Sequence, residues 1–233
     1  MKNSFDFFEK IYCINLSYRT DKWKVCQEEF EKLNIKNKVE RFDAIKFDGT
    51  HPCVNIRSAG CCASHRAVIA RAKEENLKNI LVLEDDIQFI NDVNNQLNLS
   101  LEDLNKQSRW DIFYLGMHAG HHDIKRLNIA PLERIDKNLL RVNTCQCAHA
   151  QSYNSNIFNF ILENVPTPDK TLEWLMTNES IDGWIMRNIQ TQGYCFSVNE
   201  IIATQRASYS DNNLVMTRLD QHFIDQFNKH KPL

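Results

Sequence analysis

Four aliphatic residues, Ile80-Leu81-Val82-Leu83, run directly into three acids, Glu84-Asp85-Asp86. The aliphatic run has no alternation of apolar and polar positions, so both of its faces need cover. That is the pattern of an interior strand with helices packed on each side, whereas a half-exposed strand alternates. The abrupt change to charge puts the edge of the core at residue 84.

The rest of the chain supplies strand and helix signals in turn. Ile11-Tyr12-Cys13-Ile14-Asn15-Leu16 reads as a buried first strand, and 17–21 as a polar turn. Trp23, Cys26, Phe30 and Leu33 recur at helical spacing, and 39–45 alternates like a second strand. Asp48-Gly49-Thr50-His51-Pro52 is loop chemistry. A helix is expected over 64–76, alanine-rich and capped by Ser64, and another over 92–106. Trp110-Asp111-Ile112-Phe113-Tyr114-Leu115-Gly116 reads as a strand, 142–152 as a further strand, and 156–164 and 180–190 as helices. One or two short strands are expected within 194–204. Repeated alternation with short links predicts an α/β fold, with a mixed, mostly parallel sheet flanked by helices. A length of 233 residues suits one domain. Pro166 and Pro168 read as a loop within it.

Several classes are excluded by composition. The formal net charge of −2 provides no basic field for nucleic acid. The 80–83 run is far shorter than the roughly 18 apolar residues of a membrane span. The first ten residues are acidic and mixed, without the basic-then-apolar order of a signal peptide. A cytoplasmic location is expected on that basis, with the eight cysteines as free thiols. Cys145-x-Cys147-x-His149 is the nearest approach to a zinc pattern, but its spacing suits one strand face and no second ligand pair accompanies it. His118, His121, His122 and Asp123 form a second polar cluster, read as a loop rather than a metal site. With six glycines and no GxGxxG or GxxxxGK[ST], the backbone routes to phosphate binding lack support. A phosphate-bearing substrate would need a metal and basic side chains such as Arg19 and Lys22.

Ligands of such sheets bind beyond the carboxyl ends of the strands. Glu84-Asp85-Asp86 falls at one of these ends, and hard carboxylate oxygens suit Mn²⁺ or Mg²⁺ carrying a diphosphate. The alternative is a solvated acidic turn.

The motifs together resemble glycosyltransferase family 25, which includes bacterial lipooligosaccharide galactosyltransferases and the collagen galactosyltransferases. Tyr12-Cys13-Ile14-Asn15-Leu16 with Arg19 and Asp21-Lys22, then Asp43-Ala44-Ile45, resembles the opening of that family. Gly60-Cys61-Cys62-Ala63-Ser64-His65 is similar to its "GC..SH" segment, and Leu83-Glu84-Asp85-Asp86-Ile87 to its "EDD" motif. Ile181-Asp182 is similar to a "VD" opening a helix, and Phe196-Ser197-Val198 with Gln205 and Ser210-Asp211 to the closing segment. Three departures stand out. Lys22 replaces a usual arginine, Ser58-Ala59 replaces an acid, and His149-Ala150-Gln151-Ser152-Tyr153 is more polar than the family strand.

The resemblance implies a GT-A fold over 1–233 as a single domain, with a nucleotide-sugar part at about 1–116 and an acceptor part at about 117–233. It implies an inverting, metal-dependent transfer of a hexose (galactose, glucose or GlcNAc) from a UDP-sugar. The receiving group would be a glycan, a lipooligosaccharide or a protein hydroxyl. Asp86 is the expected first metal ligand, for Mn²⁺ or Mg²⁺, with Asp85 and Asp211 beside it. Asn15, Arg19, Lys22, Ala44, Ser64, His65, Glu84, Asp85, Gln205 and Ser210 are expected to contact the donor. Asp182 is the expected catalytic base, with Glu179 as the alternative; a mere helix cap is the bland reading of Asp182. Two other functions stay open at this point: a catalytically silent nucleotide-sugar-binding homologue, and a metal-dependent hydrolase.

Overall fold

A computed structural model of the chain describes residues 3–120, 129–178, 180–206, 208–209, 216–217 and 220–232. Its first half runs β1 (Lys10–Asn15), α1 (Thr20–Lys32), β2 (Val39–Asp43), α2 (Ile56–Glu74), β3 (Asn79–Glu84), β4 (Ile87–Phe89) and α3 (Val93–Leu104). Then follow β5 (Ile112–Tyr114), β6 (His118–Ala119), β7 (Leu132–Asp136), β8 (Leu139–Val142), β9 (Cys145–Gln146) and β10 (Ala150–Asn154). The remainder is α4 (Ser155–Asn164), α5 (Thr171–Leu175), α6 (Ile181–Asn188), β11 (Cys195–Val198), β12 (Ala203–Gln205), β13 (Ser208–Tyr209), β14 (Met216–Thr217) and α7 (Asp220–His230).

An eight-stranded sheet in the order β2-β1-β3-β10-β5-β11-β8-β7 forms the middle layer. From the pairings, β2, β1, β3, β5, β11 and β7 run one way, and β10 and β8 run against them. The sheet is thus mixed and mostly parallel, as expected. β3 is interior as its sequence demands, but only its β1 side is parallel; β10 enters antiparallel on the other. Ile80, Leu81, Val82 and Leu83 are fully buried, each worth about 2 kcal/mol over an exposed position. Ile80 and Val82 face a core with α2, α4 and α6, while Leu81 and Leu83 face one with α1 and α3. Two rigid faces therefore hold the strand that carries the acids.

Three expectations need correction. The helix expected at 64–76 begins at Ile56, capped by Asn55, whose side chain accepts the Arg57 N–H at 3.0 Å. Ser64 and His65 therefore lie within α2 and open nothing. The single strand expected over 142–152 is three pieces, because the backbone at Cys147 turns through a left-handed φ of 76°. β8 stays in the large sheet, β9 pairs with β6, and β10 returns to the sheet. This break also scatters Cys145-x-Cys147-x-His149: Cys145 is tied to Gln190, and no metal-capable group among the described residues contains any of the three. All eight cysteines are free.

β4 had no clear signal in the sequence; it pairs antiparallel with β12, the second of the short strands expected within 194–204, with Gln205 opposite Ile87. Buried Glu29 of α1 accepts from Phe89 N at 3.1 Å and from Arg206 Nη2 at 2.9 Å, so one carboxylate pins both strands of the ribbon. Gly116 lets the ribbon approach: a Cβ there would lie 1.9 Å from the Ala203 carbonyl oxygen. That oxygen belongs to backbone and cannot swing aside. Gly116→Ala is expected to cost roughly 3 kcal/mol, at the upper end of overpacking substitutions, read as a lower urea midpoint with an unchanged slope. A midpoint equal to that of the parent would show that the ribbon is free to shift.

Candidate active site

Beyond the carboxyl ends of β1 and β3 lies a cleft of about 690 Å³, within the usual size range of small-molecule sites. Its walls come from the β1–α1 turn, the segment after β2, the first turns of α2, the end of β3, the turn at Cys147-Ala148 and the start of α6. Asn15, Lys22, Ala44, Ser64, His65, Glu84, Asp85, Asp86, Asp182 and Gln205 all line it. Residues far apart in sequence thus meet at one place, where an α/β sheet is expected to bind ligands.

Strand geometry parts the three acids, because successive side chains leave on opposite faces. Glu84 turns toward α2, where His65 Nε2 donates to its Oε1 at 3.1 Å and Cys61 Sγ lies 3.5 Å away. Burial, the largest single influence, would raise the Glu84 carboxyl, but the His65 hydrogen bond and charge, with His149 and Cys61 behind them, together outweigh it and hold the pKa below the ordinary range. Asp85 turns toward α1, receiving Lys22 Nζ at 3.0 Å and Asn15 Nδ2 at 2.7 Å. Burial still leaves its pKa raised. Asp86 meets Gln205 Nε2 at 3.2 Å, and its carbonyl accepts Arg206 N–H at 2.6 Å. Burial first, and then the Glu84 charge, push the Asp86 pKa up to about 7.

Asn15 is itself aimed by a residue the sequence did not single out. Arg41 Nε donates to Asn15 Oδ1 at 2.8 Å, so the amide nitrogen must face Asp85. The same guanidinium lies 5.2 Å from the Trp23 ring centroid and donates to the Ser17 carbonyl at 3.0 Å, closing the β1–α1 turn. The opposite wall depends on Gly60, where a Cβ would sit 2.6 Å from the Ile45 carbonyl oxygen. Ser64 Oγ donates to the Gly60 carbonyl at 2.6 Å and accepts the Ile45 N–H at 2.8 Å. Ser64 thus holds the Ala44-Ile45 segment against α2 and has a structural task besides lining the cleft.

Asp182 stands in the first turn of α6, but the cap is Ser180, whose Oγ accepts the Gly183 N–H at 3.2 Å. Asp182 instead reaches across the cleft wall: its Oδ2 accepts the Cys147 N–H at 2.9 Å, and its Oδ1 the Gly183 N–H at 3.0 Å. It therefore supports the left-handed turn at Cys147 and keeps one lone pair on each oxygen. Glu179, Ser210, Asp211, His121, His122 and Asp123 lie outside the described residues. Arg19 is not in the cleft lining, and its guanidinium makes a two-pronged pair with Asp21 at 2.9 Å on each arm. Lys46 and Arg57, which the motifs did not mark, do line the cleft. Of the departures from the family pattern, Ser58 faces the cleft, whereas His149, Gln151 and Ser152 are buried in the sheet. His118 stacks on His222 of α7, away from this cleft.

No curated protein sequence matches the chain. Among solved structures it is similar to A197 from STIV, at 10% identity over 90% of this chain and 94% of that one, with a TM-score of 0.48. It is also similar to a mannose-1-phosphate geranyltransferase from Thermus thermophilus, at 10% identity, 81% and 72% coverage and a TM-score of 0.43. A third is a glycosyltransferase involved in glycosylation of the major capsid of PBCV-1, at 11% identity, 70% and 73% coverage and a TM-score of 0.37. No helix among the described residues is long and apolar enough to cross a membrane. The sequence profile of glycosyltransferase family 25 (LPS biosynthesis protein) matches residues 57–201, which is more than half of the 233-residue chain and includes Cys61, His65, the three acids and Asp182. By that match the chain belongs to glycosyltransferase family 25 and is a glycosyltransferase.

Proposed function

We propose that this glycosyltransferase moves a hexose from a UDP-sugar to a hydroxyl of a glycan or hydroxylated acceptor, with inversion, in a GT-A-type site that uses Mn²⁺ or Mg²⁺. The observation that carries the proposal is the composition of this one cleft. It gathers strand-end acids, basic side chains (Lys22, Lys46 and Arg57) and, from a separate element, the carboxylate of Asp182.

The donor set fits a hard divalent cation. Asp85 is engaged by Lys22 and Asn15, and Glu84 by His65, whereas Asp86 is held by one neutral amide and has a pKa raised by burial. A buried carboxylate of this kind gains most from a cation. Asp86 is the residue that would hold the ion, with Asp85 and Asp211 as further oxygen donors. When bound, such an ion supplies positive charge against the diphosphate as negative charge grows on it.

The chain's own residues do the rest. Lys46 and Arg57 offer the diphosphate further positive charge. Arg41 and Lys22 fix Asn15 and Asp85, so the nucleotide meets a preset wall. Asp182 takes the proton from the attacking hydroxyl, using the lone pair its backbone contacts leave on either oxygen. The acids of the β3 end are poorly suited to that task, because a cation or Lys22 already answers their charge.

A thermal-shift panel of UDP-, GDP- and CMP-sugars, each with and without Mn²⁺, tests the reading. A donor at about 100 times its Kd should stabilise the fold by roughly 2.7 kcal/mol, and only UDP-sugars with Mn²⁺ are expected to do so. Equal shifts for all three nucleotides, or a UDP-sugar shift indifferent to Mn²⁺, would overturn it.

A further inference from the structure

Cys61 and His65 stand four residues apart on α2, so both side chains leave the same helix face one turn apart. That face meets the end of β3. There Cys61 Sγ lies 3.5 Å and His65 Nε2 3.1 Å from a single oxygen, Glu84 Oε1. The three donor atoms all lie within 4.8 Å of one another, the one such group of three or more His, Cys, Asp or Glu residues among those described. Asp85 and Asp86 are outside it, turned to Lys22, Asn15 and Gln205.

The separations are those of metal ligands. A tetrahedral zinc ion with sulfur at about 2.3 Å and nitrogen and oxygen at about 2.0–2.1 Å sets its ligands about 3.6 Å apart for S···O and about 3.4 Å for N···O. The cluster has 3.5 and 3.1 Å for these two pairs, within a few tenths of an ångström of those values, and its sulfur and nitrogen lie within 4.8 Å of each other, so the two α2 side chains would close on the ion as it binds. The chemistry differs from that at Asp86. A sulfur, an imidazole and one carboxylate favour a thiophilic ion over Mg²⁺ or Mn²⁺, which prefer oxygen alone.

We propose that Cys61, His65 and Glu84 form a second metal site, for Zn²⁺, separate from the all-oxygen site at Asp86. Ring placement suits this role: His65 is buried and directs Nε2 at the cluster. All three residues line the cleft, so the fourth coordination position is open to water or a bound substrate, as in zinc sites with three protein ligands. Zinc binding replaces the thiol proton of Cys61 with a sulfur–zinc bond and releases that proton to solvent. The zinc site stands independently of the transferase mechanism proposed above.

Cobalt is the probe, because a cysteine ligand gives Co²⁺ a sulfur-to-metal charge-transfer band that oxygen ligands do not. Metal-free, reduced protein should develop this band with one equivalent of Co²⁺ and lose it on addition of Zn²⁺. Cys61→Ser should abolish the band and weaken Zn²⁺ binding at least roughly tenfold, since even partners behind metal ligands are worth 10–100-fold. Asp86→Ala and Cys147→Ser should retain it. His65→Gln supplies the same test should Cys61→Ser fail to fold: its band must vanish or weaken. Absence of a charge-transfer band in the parent protein, or a band unchanged in Cys61→Ser or His65→Gln, overturns the site. Failure of the UDP-sugar panel leaves this result untouched, so the two readings fail separately.

Discussion

Asp182→Asn is expected to lower sugar transfer by roughly 10² or more, the usual contribution of a positioned general base, while donor binding survives. The motive is placement: Asp182 enters the cleft from the start of α6, apart from the acids at the end of β3, and unlike Asp48 of the segment after β2, which pairs with Lys46, it carries no basic partner's charge among the described residues. Its backbone contacts change the stability expected from sequence, where an asparagine cap would replace an aspartate cap without loss. Ser180 does the capping, and Asp182 accepts two backbone N–H groups on different oxygens. Asparagine can keep its oxygen toward Cys147, but its NH₂ then faces the Gly183 N–H, which Ser180 still satisfies. One lost hydrogen bond costs about 1 kcal/mol, so a melting point a few degrees lower is compatible with a base role. The discriminating readout is therefore kinetic. Loss of a base lowers kcat and leaves KM for the donor unchanged, whereas loss of a residue that only supports the Cys147 turn would raise KM. Transfer near the parental rate would show that the base lies elsewhere.

The parts of the fold legible in the sequence were those governed by burial on a repeating unit. Ile80 to Leu83 announced an interior strand because nothing else explains two apolar faces, and the acids after it marked the edge of the core, where the cleft lies. What escaped was set by contacts distant in sequence. The start of α2 was misplaced because Ala59-Gly60-Cys61-Cys62 lacks a helical stripe; Gly60 is there to admit the Ile45 carbonyl, which no local pattern reveals. Once the helix is started at Ile56, the four-residue spacing of Cys61 and His65 places both on one face, and with it comes a cluster that joins two separate motifs at Glu84. β4 is three residues long and carries too little pattern to register. Arg41 looked like an ordinary charge on an alternating strand, and only the turn after β1 folding back toward Trp23 makes it the residue that aims Asn15. Gln205 was expected only as a donor contact, from the family resemblance; its approach to Asp86 spans 119 residues and leaves no periodic trace.

Asp86→Ala is expected to abolish stabilisation by Mn²⁺ and Mn²⁺-dependent donor binding, with transfer lost to the detection limit. The fold should survive, because the substitution removes a carboxylate whose ionisation the folded protein resists. The sign of the pH dependence follows from that resistance. In the unfolded chain an aspartate carboxyl titrates near its ordinary value of 3.8, and in the metal-free fold Asp86 titrates at about 7. Between those values the folded state holds a proton the unfolded state has lost, so this group favours folding at low pH, and the benefit fades as pH rises through 7. A cation reverses the trend, since it binds only the carboxylate and must displace the proton. Apparent Mn²⁺ affinity is therefore expected to rise about tenfold per pH unit below pH 7 and to level off above it. Mn²⁺ titrations followed by melting temperature at several pH values from about 5.5 to 8, buffered without chelators, measure this directly. In Asp86→Ala the same titrations should be flat. Mn²⁺ stabilisation that persists in the variant, or that weakens as pH rises toward 7, would remove Asp86 as the ligand and return the strand-end acids to the status of a charged turn.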